Sequence, residues 1–439
     1  MMVPGLAARV AAAAILRDVV NGGRMLDELF AAGSGLTRLT GLAPRDIALT
    51  RSIVTVALRR LGTIRQVLAA LIEKDLPRGA ATQIESCLTI ATAQILFLDV
   101  PDHAAVDLAV RMIRLDQKTV PYVSLVNGVL RNLVRRRDAI LADGAPLDQD
   151  TPAWLAARWR KTYGETTAGA IEAAHLLEPT LDLTVKSDPV LWAEKLGATL
   201  LPTGSLRLSS HQPIVELPGY AEGAWWVQDA AAALPAGLIE VAPGMKIADL
   251  CSAPGGKAAQ LAARGARVIA IDRSAERLKL LAANFQRLRL EAEIVVADIL
   301  AFNGTTFDAV LLDAPCSGTG TIRRHPDIAW VKKPSDIGKL AAIQSRMLDK
   351  AFTLVKPGGT ILYCVCSIEP EEGDQQIANL LRRNPDVVRS PIRPEEVGGL
   401  AGLLNADGEL RTLPSHFATE DWRLSGLDGF FAARLVRNQ

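Results

Sequence analysis

Between residues 6 and 137, apolar side chains return every three or four positions and almost nowhere alternate, which is the spacing of amphipathic helices. The pattern predicts helices over 6–21, 25–32, 44–60, 64–73, 80–97, 104–115 and 122–137. Turn signals separate them at Asn21-Gly22-Gly23, Gly33-Ser34-Gly35, Leu76-Pro77-Arg78-Gly79 and Val100-Pro101. Residues 1–138 therefore read as an all-α domain. Residues 139–153 are acidic and turn-rich, and read as a linker. A helix-rich connector opens at Trp154, followed by short strands over 181–185, 198–201, 206–208 and 225–228. Residues 154–229 form a small α/β subdomain on this reading, with Trp225 and Trp226 as packing residues. From 230 to 439 strands and helices alternate. Strands are expected to end at Asp249 and to cover 267–272, 293–298, 307–313 and 360–365. Helices are expected near 257–264 and over 274–289, 335–355 and 371–383. Two late strands near 409–413 and 428–436 are expected to close the sheet as an antiparallel hairpin. Repeated units of this kind predict a doubly wound, Rossmann-like α/β domain.

Composition narrows the class. A chain of 439 residues with 49% hydrophobic content supports two or three cores. No window holds 18 uninterrupted apolar residues, so no membrane span is expected. The apolar patch at the N-terminus has no basic start before it and continues as an amphipathic helix, not as a leader. Five cysteines, an odd number, suggest reduced thiols and a cytoplasmic protein. The net charge of +1 is uninformative, but residues 1–138 carry 18 Lys and Arg against 12 Asp and Glu. That surplus suits a polyanion-binding appendage, and equally an arginine-rich solvated surface.

The chemistry gathers around Cys251-Ser252-Ala253-Pro254-Gly255-Gly256-Lys257, a turn-prone loop between a buried strand and a helix. Such a loop builds a ligand site at the carboxyl end of a parallel sheet. A phosphate loop does not fit, because Cys251 stands where its first glycine belongs and Ala258 replaces the metal-binding hydroxyl. Asp272, Asp298 and Asp313 then end three successive strands. Each could be a helix cap, but together they suit an adenosyl ligand, with Asp272 on the ribose and Asp298 on the adenine. Arg277, on the helix after Asp272, joins that set. The absence of GxGxxG favours S-adenosylmethionine over a dinucleotide. Two cysteine motifs follow, Asp313-Ala314-Pro315-Cys316-Ser317 and Tyr363-Cys364-Val365-Cys366-Ser367, both just past the ends of strands expected to be neighbours. A lone cysteine is usually a small buried hydrophobe. Cys364 keeps that reading, whereas Cys316 and Cys366 are expected to face one cleft. A zinc site at Cys316, Cys364 and Cys366 lacks CxxC spacing and a nearby histidine, so no metal is expected.

Two resemblances sharpen these readings. Ala8-Arg9, Pro44-Arg45-Asp46, Leu58-Arg59-Arg60 and Val126-Asn127-Gly128-Val129-Leu130-Arg131 stand in the order and spacing of the NusB-like RNA-binding fold, although Pro121 departs from its usual entry to the last helix. That resemblance implicates Arg9 in RNA binding, against the alternative of a helix-start residue. Trp226-Val227-Gln228-Asp229, Cys251–Lys257, Asp313–Gly320 with Arg323–Asp327, Cys366–Glu372 and Asp428–Arg434 resemble the Sun/nucleolar-protein family of RNA cytosine-C5 methyltransferases. With the NusB-like front end, nearly the whole chain is similar to its bacterial branch acting on small-subunit ribosomal RNA. The resemblance implies a class I methyltransferase domain, with Cys366 as the nucleophile toward cytosine C6 and Cys316 assisting product release. It places Asp313 at N3 of the base and Lys257 near the thiols, where a salt bridge to a strand-end acid is the alternative for Lys257. Where the family usually has Thr before its nucleophile, this chain has Val365. Arg323, Arg324 and His325 are candidate phosphate contacts, or a solvated basic turn. The same chemistry on transfer RNA, and a non-catalytic RNA-binding ribosome-assembly factor, are the competing readings. A monomer is expected.

Overall fold

The computed structural model describes residues 4–31, 38–73, 76, 79–142, 147–209 and 212–439. The turn at Gly33–Gly35, the centre of Leu76–Gly79 and part of the expected linker lie outside the described residues. The chain forms two compact units. One comprises Met1–Leu176 with Arg324–Lys333, and the other Leu177–Arg323 with Pro334–Gln439.

The first unit is all-helical: α1 (Leu6–Val20), α2 (Leu26–Phe30), α3 (Pro44–Arg59), α4 (Leu61–Leu71), α5 (Ala81–Phe97), α6 (Asp102–Ile113), α7 (Val123–Ala142) and α8 (Ala153–His175). Alanine-rich α1 packs against α3, α5 and α6, and its small side chains permit that close approach. Ile15, Ile53, Leu58, Ile64, Leu88 and Leu130 fill the core between them. Pro44 at the first turn and Asp46 beside it suit the start of α3. The expected linker is largely structured. α7 runs on to Ala142, and Asp150 accepts hydrogen bonds from the Thr63 N–H at 2.8 Å and its hydroxyl at 2.7 Å, closing the N-terminus of α4. α8, expected to open the central subdomain, belongs to this helical unit instead.

The second unit begins with an antiparallel sheet in the order β2-β3-β1-β4, built from β1 (Leu181–Val185), β2 (Thr199–Leu200), β3 (Leu206–Leu208) and β4 (Trp225–Val227), with α9 (Pro189–Leu196) after β1. Trp225 and Trp226 are buried, as packing residues should be. After α10 (Ala230–Gly237) comes the doubly wound part: β5 (Lys246–Leu250), α11 (Gly256–Ala263), β6 (Arg267–Asp272), α12 (Ala275–Leu288), β7 (Glu293–Val296) and β8 (Phe307–Asp313). The chain then enters the helical unit for ten residues holding α13 (Asp327–Val331). It returns through α14 (Pro334–Leu354), β9 (Val355–Val365), α15 (Asp374–Arg383), β10 (Val387–Arg389), β11 (Leu410–Thr412) and β12 (Phe430–Arg437).

The strand order is β10-β12-β9-β8-β5-β6-β7, with β5 to β9 parallel and β12 antiparallel beside β9. The expected terminal hairpin exists, since β11 pairs with β12, but β11 lies off the main order and β10 takes the edge. Among the described residues no helix is long and apolar enough to cross a membrane.

Candidate active site

The register of β8 and β9 builds the centre. Asp313 pairs with Cys364, so the residues that follow leave the same edge of the sheet side by side. Ala314 N–H donates to Cys364 O at 3.0 Å and Gly320 N–H to Cys366 O at 3.1 Å, which holds the two loops together. The Cys316 and Cys366 sulfurs lie 3.4 Å apart, each half-buried. The hydrogen bond with the Cys366 sulfur, together with burial and the charges of Cys366 and Glu372, pushes the Cys316 thiol well above its ordinary range. Cys364 is fully buried, its thiol 3.6 Å from Asp313 Oδ1, and burial pushes it up as well.

Lys257 reaches the same place from the first turn of α11. Its Nζ lies 2.7 Å from Asp313 Oδ2 and 4.9 Å from the centre of the Phe430 ring. Burial alone would lower the Lys257 pKa, but Asp313, Cys364 and Cys366 outweigh it and raise it. The lysine is therefore a fixed cation, paired with the strand-end acid and facing the thiols.

The loop from Cys251 to Gly256 wraps the carboxyl end of β5. Cys251 adopts φ 62° and Gly255 φ 103°, and a β-carbon on Gly255 would meet Leu281 at 2.7 Å. Asp272 is buried at the end of β6. One of its oxygens accepts from Ser274 N–H at 2.9 Å and the other from Ala253 N–H at 3.3 Å. Arg277 donates to Ala253 O, so Asp272 and Arg277 both brace the loop. Asp298 is exposed two residues beyond β7 and accepts from Leu300 N–H at 2.8 Å. A cavity of about 500 Å³ opens against this loop, lined among others by Ser252–Lys257, Asp229, Tyr220, Arg287 and Asp313.

Two acids in this region carried no assignment in the sequence reading. Asp249, at the end of β5, lines the cavity and is buried; Ser252 donates to its Oδ2 at 2.8 Å and its Oδ1 has no hydrogen-bond partner. Burial pushes its carboxyl up to about 7, with the Ser252 hydrogen bond opposing and Asp313 adding to the rise. The signal was available, as an acid set between the apolar residues Ile247, Ala248 and Leu250. Glu372 is fully buried beneath the cysteine loops, and only the fold reveals its partners.

The RNA contacts expected from sequence are partly corrected. Arg9 is only 8% exposed, with Nε donating to Gln94 Oε1 at 2.9 Å, and is turned into the helical unit. Arg323 is 2% exposed, with Nη2 donating to Ser425 O at 3.2 Å. Neither guanidinium faces solvent, because each is taken up by groups within its own unit. Arg324 and His325 are half-exposed, His325 Nδ1 standing 3.3 Å from Asp27 Oδ2.

Comparison with known proteins follows the same division of the chain. Residues 236–436 match the family model of 16S rRNA methyltransferase RsmB/F, and residues 6–135 that of the NusB family. A ribosomal RNA small subunit methyltransferase B of Xylella fastidiosa is 36% identical over 454 aligned positions, covering 100% of this chain and 99% of that protein. The protein of the same name from Vibrio cholerae is 35% identical, covering 88% of this chain and 92% of its own. The crystal structure of PH0851 shares the fold, with a TM-score of 0.71 at 22% identity, over 99% of both chains.

Proposed function

The chain belongs to the ribosomal RNA small subunit methyltransferase B family, and from that premise we propose that it methylates cytosine C5 in small-subunit ribosomal RNA through a covalent adduct on Cys366. The observation that carries this reading is the pair of sulfurs 3.4 Å apart beside the Lys257–Asp313 ion pair. Cytosine C5 is too poor a nucleophile to take a methyl group unaided. Addition of a thiolate to C6 moves the ring π electrons onto C5, which then bonds the methyl carbon; loss of the C5 proton and expulsion of the thiolate restore the ring. Burial, the hydrogen bond to Cys366 and the charge of Glu372 favour a protonated Cys316, which is consistent with Cys366 as the sulfur that attacks. Cys316 is then positioned to assist elimination, giving its thiol proton to the departing Cys366 sulfur while the C5 proton passes to solvent. Lys257 lends positive potential to the forming thiolate and orients Asp313 toward N3 of the base.

The loop fits S-adenosylmethionine, which supplies an electrophilic methyl group when bound. The tight backbone at Gly255 admits a ligand closely, the start of α11 presents unpaired N–H groups, and the unpartnered Asp249 Oδ1 suits an ammonium. Cys251 to Lys257 would hold the methionyl end, Asp272 the ribose and Asp298 the adenine, with Arg277 bracing the loop. Arg324 and His325 remain candidate RNA contacts. The target base must be unpaired or flipped to enter the cleft. We place the protein in the cytoplasm as a monomer.

Purified protein incubated with S-adenosylmethionine and small-subunit ribosomal RNA tests this reading. Cys316→Ala should accumulate a denaturation-resistant protein–RNA adduct, Cys366→Ala should form none, and wild type should leave 5-methylcytidine. An adduct in Cys366→Ala instead would exchange the two roles. A wild-type enzyme that methylates only transfer RNA would overturn the substrate.

A further inference from the structure

Beneath the paired cysteines lies a polar network that the chemistry above does not use. Glu372 follows β9 and is fully buried. Its Oε1 accepts from Ser317 N–H at 2.9 Å and Gln344 Nε2 at 3.0 Å. Its Oε2 accepts from Ser367 Oγ at 2.6 Å and from the Ser317 hydroxyl. Ser317 and Ser367 are each the residue immediately after a cysteine of the pair. Their hydroxyls stand 3.2 Å apart, and Thr319 Oγ1 lies 3.3 Å from Ser367 Oγ. The backbone is enlisted too: Tyr363 donates its hydroxyl to Glu372 O at 2.6 Å. One carboxylate thus carries four donors, two from the Cys316 loop, one from the Cys366 loop and one from α14. A buried carboxylate is costly unless such bonds satisfy it, and here they do.

We propose that Glu372 is the positioning residue of the two-cysteine centre, clamping Ser317 and Ser367 on one buried carboxylate so that Cys316 and Cys366 are held at hydrogen-bonding distance with distinct roles. The inference rests on the two-cysteine reading above. It acts twice. Its hydrogen bonds fix the loops relative to each other, and its negative charge opposes ionisation of Cys316, one of the causes that raise that thiol. That charge favours Cys316 as the hydrogen-bond donor and Cys366 as the attacking sulfur. Glutamine at this position keeps the shape and much of the hydrogen bonding but loses the charge.

The test does not depend on turnover. The full-length protein is alkylated with iodoacetamide across pH 6 to 10, and modification of Cys316 and Cys366 is quantified separately by peptide mass spectrometry. In Glu372→Gln the Cys316 profile should move to lower pH, and the preference for Cys366 over Cys316 should fall at least fivefold. In parallel, RNA methylation should lose at least tenfold in kcat, with KM for RNA within twofold of wild type. Ser317→Ala, which removes one anchor and keeps the charge, should raise Cys316 alkylation about threefold without moving its pH midpoint. It decides the matter if Glu372→Gln does not fold. Unchanged alkylation profiles in the folded variants would overturn the proposal, as would a loss of kcat with no shift in the Cys316 profile. A wild-type protein that alkylates as expected but methylates no cytosine would count against the function while leaving the role of Glu372 standing.

Discussion

At the scale of single residues, Asp249 is a carboxyl whose ionisation the fold opposes. It is 1% exposed, and burial raises its carboxyl from the usual 3.8 to about 7. A folded pKa above the unfolded one means the native state holds the proton longer. Stability is therefore fullest below about pH 4 and is lost as pH rises through about 7. Between pH 5 and pH 8 this one group should remove on the order of 2–3 kcal/mol. Asp249→Asn abolishes the titration, so its unfolding midpoint should decline less than that of wild type over the same interval. Parallel declines in the two proteins would show that Asp249 ionises without cost. Lys257 illustrates the opposite case. The sequence offered two roles for it, neighbour of the thiols or partner of a strand-end acid, and the geometry combines them. Nζ is paired with Asp313 and faces Cys364 and Cys366 from the same position.

At the scale of elements, regular periodicity made most of the fold legible. Seven helices of the first unit lie close to their expected positions because apolar side chains recur at helical spacing between clear turn signals. What escaped lacked that contrast. α10 reads Ala-Ala-Ala-Ala-Leu-Pro-Ala-Gly, with no polar face and Pro235 inside it. β10 spans three residues, too few to establish a period. β9 begins at Val355, five residues before its expected start at Thr360, and carries Pro357-Gly358-Gly359 within it. The cysteine pair was readable because adjacency in a parallel sheet follows from strand order, whereas the clamp at Glu372 requires knowing which side chains meet across two loops. The linker reading failed at Asp150 for a similar reason, since a distant helix end consumes its carboxylate. Gly62 lets this happen: a β-carbon there would stand 1.6 Å from Gln149 O. Asp150→Ala removes both bonds to Thr63 and should cost the helical unit about 1–2 kcal/mol, as loss of a helix cap does. The expected sign is faster amide exchange over the first turn of α4 in deuterated buffer. Unaltered exchange there would reduce Asp150 to a surface-like residue.

At the scale of the whole molecule, the helical unit is not a continuous stretch of chain. Residues 324–333, which follow the Cys316 motif by only a few positions, complete its core. Trp330 and Val331 pack on the hydrophobic cluster of α1 to α7. Trp330 Nε1 donates to Leu58 O at 2.9 Å near the end of α3, and Arg65 lies 5.5 Å from the Trp330 ring. Asp327 Oδ2 accepts from Leu26 N–H at 2.8 Å, at the start of α2. A helical unit finished by a segment from the middle of the chain should be weakened by changes far from its own sequence. Trp330 is only partly buried, so Trp330→Ala should cost less than a fully buried tryptophan, about 2–3 kcal/mol for the lost packing and hydrogen bond. Trp330→Phe keeps most of the packing and loses only the hydrogen bond, and should cost about 1 kcal/mol. Peptide-resolved hydrogen exchange over residues 44–71 reads both. Protection of α3 and α4 should fall in the order wild type, Phe, Ala. Equal protection in all three would mean that the helices close their core without this segment, and that residues 324–333 merely rest on it.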